Sequence, residues 1–287
     1  MPVLSVLIPT YNRRKCLKKA LASLIYLGDG LEVIVGNNGE PEPVYLAIAD
    51  AKIDFPVVHL QNPAGSTYPD NLRSLISRAS GQWLTILHDD DFFTNESQII
   101  PGLLADLDRE DFVFSDHWIA DSEGEILPQN TYLNSVKYGR AGLSPGPVQS
   151  LEYLAIKQCI CLDCFFVRTE LARACEIDTS LQCFADVLLL AQIASRSRGA
   201  MYLPDRLFAY RLSSAGLTSQ GFLQDELLRV LLRIRRLVST GSAKAALAER
   251  IRRQAYVVLK YSIKRRKLHS FVLSLKTLAG FPDQRKP

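Results

Sequence analysis

The chain has 287 residues, 47% of them hydrophobic and 22% charged, with 16 Gly, 14 Pro and a formal net charge of +4. That length buries a full core for one large α/β domain, and the composition excludes collagen-like, low-complexity and disordered chains. The charge is unevenly divided: residues 222–287 hold 16 Lys and Arg against 4 Asp and Glu, a net +12 that leaves −8 on the rest, and such a split marks a surface for a polyanionic partner.

The opening Met1-Pro2-Val3-Leu4 carries no basic leader or small-residue cleavage site, so no secretory signal is read and a cytoplasmic location is expected. No apolar run approaches the ~20 residues that span a bilayer. Strands are predicted at 3–8, 32–36, 57–61 and 83–88, nearly continuous in apolar residues as strands covered on both faces are. Asn12 is expected to cap a helix with Cys16, Leu17, Ala20, Leu21 and Leu24 on one face. Pro69 opens a second helix with Leu72, Leu75, Ile76 and Ala79, which Gly81 stops. Repeated β-α-β units of this kind predict an α/β fold with a doubly wound, mostly parallel sheet.

From residue 112, where Phe112-Val113-Phe114 reads as a strand, the pattern is less regular. Residues 128–147 are expected as a loop, with a helix near Leu151. A helix over 184–195 opens on Asp186, strands follow at 201–203 and 208–211, and the Ser/Gly-rich stretch 213–221 reads as mobile and placed to act as a lid. Beyond it Leu227, Val230, Leu231, Ile234 and Leu237, then Ile251, Ala255, Val258 and Leu259, recur at helical spacing among arginines and lysines, which predicts a C-terminal basic helical region.

Doubly wound sheets bind ligands outside the carboxyl ends of their strands. The first strand end gives Pro9-Thr10-Tyr11-Asn12, the second Asn37-Asn38-Gly39 and the fourth His88-Asp89-Asp90-Asp91. No G-x-G-x-x-G or G-x4-G-K-[ST] is present, which counts against dinucleotide redox chemistry and P-loop phosphoryl transfer. Three consecutive carboxylates repel one another unless a cation sits among them. In extended geometry Asp89 and Asp91 would face one side, and hard oxygen ligands suit Mn²⁺ or Mg²⁺, which fill their remaining positions from water and substrate phosphates. The plainer reading is a solvated acidic turn ahead of a helix at Glu96. His88 is read as a structural histidine, His117 is left unassigned, and Trp83 and Trp118 are core residues or sugar-stacking ones. The six cysteines are taken as reduced thiols. Cys159, Cys161 and Cys164 make a C-x-C-x2-C cluster, one ligand short of the four of a structural zinc site.

These segments in order resemble the family 2 glycosyltransferases with the GT-A fold: Val6-Leu7-Ile8-Pro9-Thr10-Tyr11-Asn12, Glu32-Val33-Ile34-Val35 leading to Asn37-Asn38-Gly39, Asn71 ahead of Gly81-Gln82-Trp83, and Asp89-Asp90-Asp91. The likeness continues through Phe184-Ala185-Asp186, Gly199, Tyr202-Leu203-Pro204 and Tyr210-Arg211, and covers about residues 3–220. It implies an inverting, metal-assisted transferase that moves a sugar from a nucleotide-diphosphate sugar to the hydroxyl of a glycan or lipid-linked acceptor, in polysaccharide or glycoconjugate synthesis. By the same resemblance Pro9, Thr10, Tyr11, Asn12, Asn37, Asn71, Asp89 and Asp90 line the nucleotide sugar, Asp91 and Asp89 hold Mn²⁺ or Mg²⁺, and Asp186 is the catalytic base. The family often has Asp in place of Asn37, Arg in place of Asp70 and a His where this chain has Ser213; Arg73 is expected to replace the missing Arg. These departures motivate an alternative, a catalytically inactive sugar-nucleotide-binding scaffold of the same fold. A metal-dependent nucleotidyltransferase is disfavoured, because the Gly-rich basic triphosphate loop is missing after Ile8.

The expected organisation is a GT-A-like catalytic domain over 1–221, with a nucleotide-sugar half about 1–116 and an acceptor half about 117–221, followed by a basic amphipathic tail over 222–287. Cationic amphipathic helices are drawn to anionic lipid by about 1 kcal/mol per basic residue near the surface. The tail is therefore expected to meet an anionic surface at the inner membrane face, or to pack its apolar stripe on the domain. Nucleic acid is not an expected partner, since the basic clusters lack interleaved aromatics and no binding module is present.

Overall fold

The structure, a computed structural model, describes residues 2–28, 30–212 and 223–280. The strands β1 (Leu4–Thr10), β2 (Leu31–Asn37), β3 (Val57–Gln61) and β4 (Trp83–Ile86) alternate with the helices α1 (Arg14–Ser23), α2 (Pro41–Ala51) and α3 (Tyr68–Arg78). All four strands pair in parallel. β1 and β4 are buried throughout, with Leu4, Val6, Leu7 and Ile8 fully inaccessible, as a helix-covered parallel sheet requires, whereas β3 at the sheet edge is half-buried.

The chain then runs through β5 (Phe92–Phe93), α4 (Ile100–Asp106), β6 (Phe112–Ala120), α5 (Pro128–Lys137), β7 (Gly146–Pro147), α6 (Leu151–Ile156), β8 (Phe165–Arg168) and α7 (Thr169–Arg173). It closes with α8 (Ala185–Arg196), β9 (Ala200–Arg211), α9 (Gln224–Ile234), α10 (Gly241–Arg265) and α11 (Leu268–Gly280). The main order of the nine-stranded sheet is β3-β2-β1-β4-β8-β6-β9-β5, with β7 on β9. The sheet is mixed: β8 lies antiparallel between β4 and β6, whereas β6 and β9 are parallel.

Several expectations need correction. Residues 128–147 hold helix α5 and strand β7, not a loop; Pro128 stands in the first turn of α5, where its missing N–H costs nothing. The two predicted strands at 201–203 and 208–211 are one strand, β9, running through Pro204. Asn12 does not cap α1. It adopts a left-handed φ of 54° and its Oδ1 accepts from the Glu40 amide at 2.9 Å, which ties the first strand end to the second. The predicted lid, residues 213–221, and Ser213 lie outside the described residues.

The basic C-terminal helices share a hydrophobic cluster with α6, α8 and the loop before α8: Leu228, Leu231, Ile234, Ile251 and Val258 pack with Ile156, Leu181, Phe184 and Leu188. Polar contacts lock the same seam. Glu152 accepts from the amides of Ser239 and Thr240 at 3.0–3.1 Å, and Arg250 Nη1 donates to the Ile156 carbonyl at 3.1 Å. No helix among the described residues is long and apolar enough to cross a membrane.

Candidate active site

The carboxyl ends of β1, β2 and β4 meet at one edge, since β1 pairs with both of the others. The acidic triplet is a turn and not a strand end, because β4 stops at Ile86 and the Asp91 amide closes back on the His88 carbonyl at 3.0 Å. The turn buries Asp89 and Asp91, at 4% and 1% exposure, and leaves Asp90 the most open of the three.

Each carboxylate has its own partner. Asp89 Oδ2 accepts from Thr10 Oγ1 at 2.6 Å, and Arg13 Nη1 bridges Asp89 at 3.2 Å and Asp90 at 2.8 Å. The cation that a cluster of this kind needs is thus partly internal. Burial works against the Arg13 charge, but the two carboxylates outweigh it and raise its pKa. Burial pushes Asp89 up while Thr10 and Arg13 pull it back. Asp91 Oδ1 accepts from the Arg211 amide at 2.7 Å, and its buried carboxyl lies against that of Asp163, to which it donates when protonated. Burial and the neighbouring Asp163 and Asp90 charges drive the Asp91 pKa well above the carboxylate range.

A line of polar groups joins this turn to Asp186. Asp163 forms an ion pair with His88 Nδ1; His88 Nε2 lies 3.0 Å from Tyr68 Oη, and Tyr68 Oη donates to Asp186 Oδ2 at 3.3 Å. Burial opposes the His88 charge, but Asp163 outweighs it and its pKa rises to about 10. His88 is therefore a cation at neutral pH, with Asp186 and Asp90 both within its field. Asp186 sits half-buried in the first turn of α8, and its Oδ1 accepts from the Val187 amide at 2.7 Å. Burial raises its pKa to about 6 against the pull of His88, in the range where a carboxylate accepts a proton near neutral pH. The loop before α8 is pinned from the tail, as Glu226 of α9 accepts from the amides of Gln182, Cys183 and Phe184 at 2.8–3.1 Å.

Other sequence-predicted residues lie beneath or beside this edge. Pro9 is buried and Tyr11 is exposed at the rim. Asn37 is fully buried, its Nδ2 facing the carbonyls of Gly39 and Glu40 and Gln61 Oε1 at 2.9–3.1 Å. Those are acceptors that a carboxylate at this position could not serve. Asn71 is buried too, donating to the Gly36 carbonyl at 2.7 Å. Asp70 completes a capping box with Thr67 at the start of α3, and the exposed Arg73 reaches back to Asp70 at 3.2 Å. Trp83 is a core residue whose Nε1 donates to the Leu104 carbonyl at 3.0 Å, and Trp118 donates to Glu96 Oε1 at 3.1 Å.

Sequence reasoning missed Arg13, Tyr68 and Asp163 as site residues. Asp163 alone carried a signal, as the one charge within the apolar run 159–167. For a divalent cation, Asp90 offers the most open carboxylate of the turn, shared with Arg13, and Asp91 a buried one that lies against Asp163. These are hard donors of the class Mn²⁺ and Mg²⁺ prefer. His88, Asp91 and Asp163 also bring ligand atoms within 4.8 Å of one another, but both His88 nitrogens face Asp163 and Tyr68.

No curated protein matches the chain by sequence. Among solved structures it is similar to S. aureus TarS 1-349 in complex with UDP, with a TM-score of 0.71 at 17% identity over 98% of this chain and 80% of that one. It is also similar to the mannosyltransferase PcManGT from Pyrobaculum calidifontis in complex with GDP-Man and Mn²⁺, with a TM-score of 0.64 at 15% identity over 98% and 76%. Identities this low speak to the fold, a GT-A arrangement with helices appended. The sequence model of Glycosyl transferase family 2 matches residues 5–171, more than half of the chain, and the chain belongs to that family.

Proposed function

We propose that the protein transfers a sugar, with inversion, from a nucleotide-diphosphate sugar to an acceptor hydroxyl. The observation that carries this reading is the Asp186 carboxylate, raised to about 6 and aligned through Tyr68 and His88 toward the acidic turn. An inverting displacement needs a base on one face of the sugar and charge stabilisation at the departing diphosphate on the other. Family membership supports glycosyl transfer, and two similar folds bind UDP and GDP-Man.

In this mechanism Asp186 takes the proton of the attacking hydroxyl. Tyr68, donating to Asp186 Oδ2, holds the carboxylate in place and favours its ionised form. Thr10 and Arg13 fix Asp89 toward the nucleotide, and Tyr11 at the rim offers a ring face to the base. Asp90, with Asp91 behind it, would hold Mn²⁺ or Mg²⁺, which as a Lewis acid offsets charge on the departing diphosphate. We assign the cation to Asp90, the most open carboxylate of the turn, ahead of the Asp89 and Asp91 expected from the sequence; binding there would displace the Arg13 contact to Asp90. We assign Asn37 and Asn71 to holding the backbone under this edge, from their bonds to carbonyls, and leave Arg73, paired with Asp70, at its side.

The acceptor we propose is a glycan or lipid-linked molecule in polysaccharide or glycoconjugate synthesis. Exposed Tyr256, Val257, Tyr261, Ile263 and Leu268 stand among Lys260, Lys264, Arg265 and Arg266 on the outer side of α10 and just beyond it, which supports peripheral contact with anionic lipid. Co-sedimentation with anionic but not neutral vesicles tests that contact, and equal binding to both overturns it. The transfer reading is tested by incubating the protein with UDP, GDP, dTDP and CDP sugars, with and without Mn²⁺, and following nucleotide release. Metal-dependent release that Asp186→Asn abolishes is expected; donor binding without turnover across acceptors would favour the inactive scaffold.

A further inference from the structure

The cysteine cluster that falls one ligand short in sequence gains a histidine in the fold. His117 of β6 and Cys161 and Cys164 of the loop before β8 bring one ligand atom each within 4.8 Å of one another. Cys159, which the sequence grouped with them, stands elsewhere, with its Sγ 3.6 Å from where a Cβ on Gly139 would be. The ladder between β6 and β9 is irregular on both sides of Asp116, immediately before His117. Such irregularities re-aim side chains next to functional sites.

The histidine is prepared as a ligand. His117 is 3% exposed, and its Nδ1 is buried with no hydrogen-bond partner. A buried polar nitrogen left this way costs stability unless something fills it. Its other nitrogen, Nε2, lies 3.5 Å from Arg140 Nη2, and the Asn134 side chain hydrogen-bonds the ring. Nδ1 is the ring nitrogen left free, and it offers a lone pair in the tautomer that carries its proton on Nε2. Metal-bound imidazoles donate their far N–H to an acceptor, and Asn134 Oδ1, which accepts from Arg140 beside the ring, is the acceptor of this type nearest at hand. Burial and the Arg140 charge hold the His117 pKa down at about 4, so the ring is neutral at physiological pH.

We propose that His117 Nδ1, Cys161 Sγ and Cys164 Sγ bind Zn²⁺. Binding forms two Zn–S bonds and one Zn–N bond and releases the two thiol protons to solvent. The resulting centre, one divalent cation with two thiolates and a neutral imidazole, carries no net charge, which suits its burial. Tetrahedral zinc with its usual bond lengths holds such ligand atoms about 3.4–3.8 Å apart, so a closure of roughly 1 Å from the 4.8 Å envelope completes it. A water takes the fourth position. The consequence is mechanical: the ion clips the loop at 161–164 to β6, and that loop carries Asp163, the counter-charge of His88. The assignment does not depend on the proposed transferase reaction.

The test is metal content and Co²⁺ spectroscopy on the full chain, purified with reductant. About one zinc per chain is expected, and replacing it with Co²⁺ should give a thiolate-to-cobalt charge-transfer band in the near ultraviolet. A cation at Asp90 has only oxygen ligands and cannot produce that band. Cys161→Ser and His117→Ala should lose it, whereas Cys159→Ser should keep it. Cys161 is only partly buried, so its serine variant preserves the packing, and far-ultraviolet circular dichroism checks the fold. Folded wild-type protein that shows no band with Co²⁺, or a band that survives Cys161→Ser, overturns the proposal. So does a Cys161–Cys164 disulfide that, once reduced, still gives no band.

Discussion

The two sides of the candidate site are held by different parts of the chain. The acidic turn is supported by groups at the sheet edge itself: Thr10 and Arg13 within a few residues of β1, and the Arg211 amide at the end of β9. Asp186 is held from the C-terminal helices, where Glu226 gathers three amides of the loop that starts α8. The difference teaches that the acidic turn is fixed by the α/β sheet, whereas the loop that leads into Asp186 is tied to the tail. The basic region, set apart by its charge, is by packing continuous with α6 and α8.

The sharpest way to probe that division is Asp186→Asn. Loss of a general base costs typically 10²–10⁴-fold, so kcat should fall by about that factor while donor-induced stabilisation persists. Burial raises the folded-state pKa of Asp186 to about 6, so stability is lost as the pH rises from the unfolded carboxylate value of about 4 to that value, and the full cost is present above it. The neutral variant should therefore melt at the same temperature or higher at pH 8. A lower Tm with proportionate loss of activity would make Asp186 a structural residue.

Asp90→Ala is expected to act on the other side alone. The thermal stabilisation that Mn²⁺ adds to nucleotide binding should vanish, with α8 and the tail untouched; a variant as Mn²⁺-responsive as wild type would move the cation elsewhere. Glu226→Ala leaves three amides without their carboxylate, at about 1–3 kcal/mol for a buried polar group that loses its partner. We expect a Tm lowered by several degrees and a reduced kcat with donor affinity retained. If donor affinity fell instead, the two sides would not be separable.

The smallest effect is in the pH profile. In wild type, kcat/KM should rise with pH through about 6 as Asp186 loses its proton. The Tyr68 hydroxyl donates to the ionised carboxylate and lowers its pKa, so Tyr68→Phe should shift that rise to higher pH and leave the plateau within a few-fold of wild type. An unshifted profile would remove Tyr68 from the mechanism.

The parallel half of the fold was legible because its signals are local. β1 to β4 are apolar runs of the right length, and α3 is bounded by Pro69 and Gly81. The strand-end residues were legible as a group, since topology alone brings them to one edge. Their individual roles were not. Asn37 and Asn71 look like ligands in sequence but spend their amides on backbone carbonyls. The alternation argument for Asp89 and Asp91 failed because the strand ends at Ile86. Tyr68, His88 and Asp163 come from three separate segments, and only the antiparallel insertion of β8 brings the last of them to the first two. α5 was missed because its polar sequence carries a weak helical stripe beside several turn-forming residues.

The contact between β2 and α3 has a consequence for how this sequence can vary. A Cβ placed on Gly36 would stand 2.0 Å from Asn71 Oδ1, while Asn71 Nδ2 takes the Gly36 carbonyl at 2.7 Å. Positions 36 and 71 therefore behave as a single choice. Any side chain admitted at 36 evicts the amide at 71, and an alanine at 71 makes room but leaves the Gly36 carbonyl without its donor. In a library randomised at both sites, survivors should return the Gly–Asn pair together, and any replacement should appear as a correlated double change. A lineage could leave this pair only by crossing a destabilised single mutant.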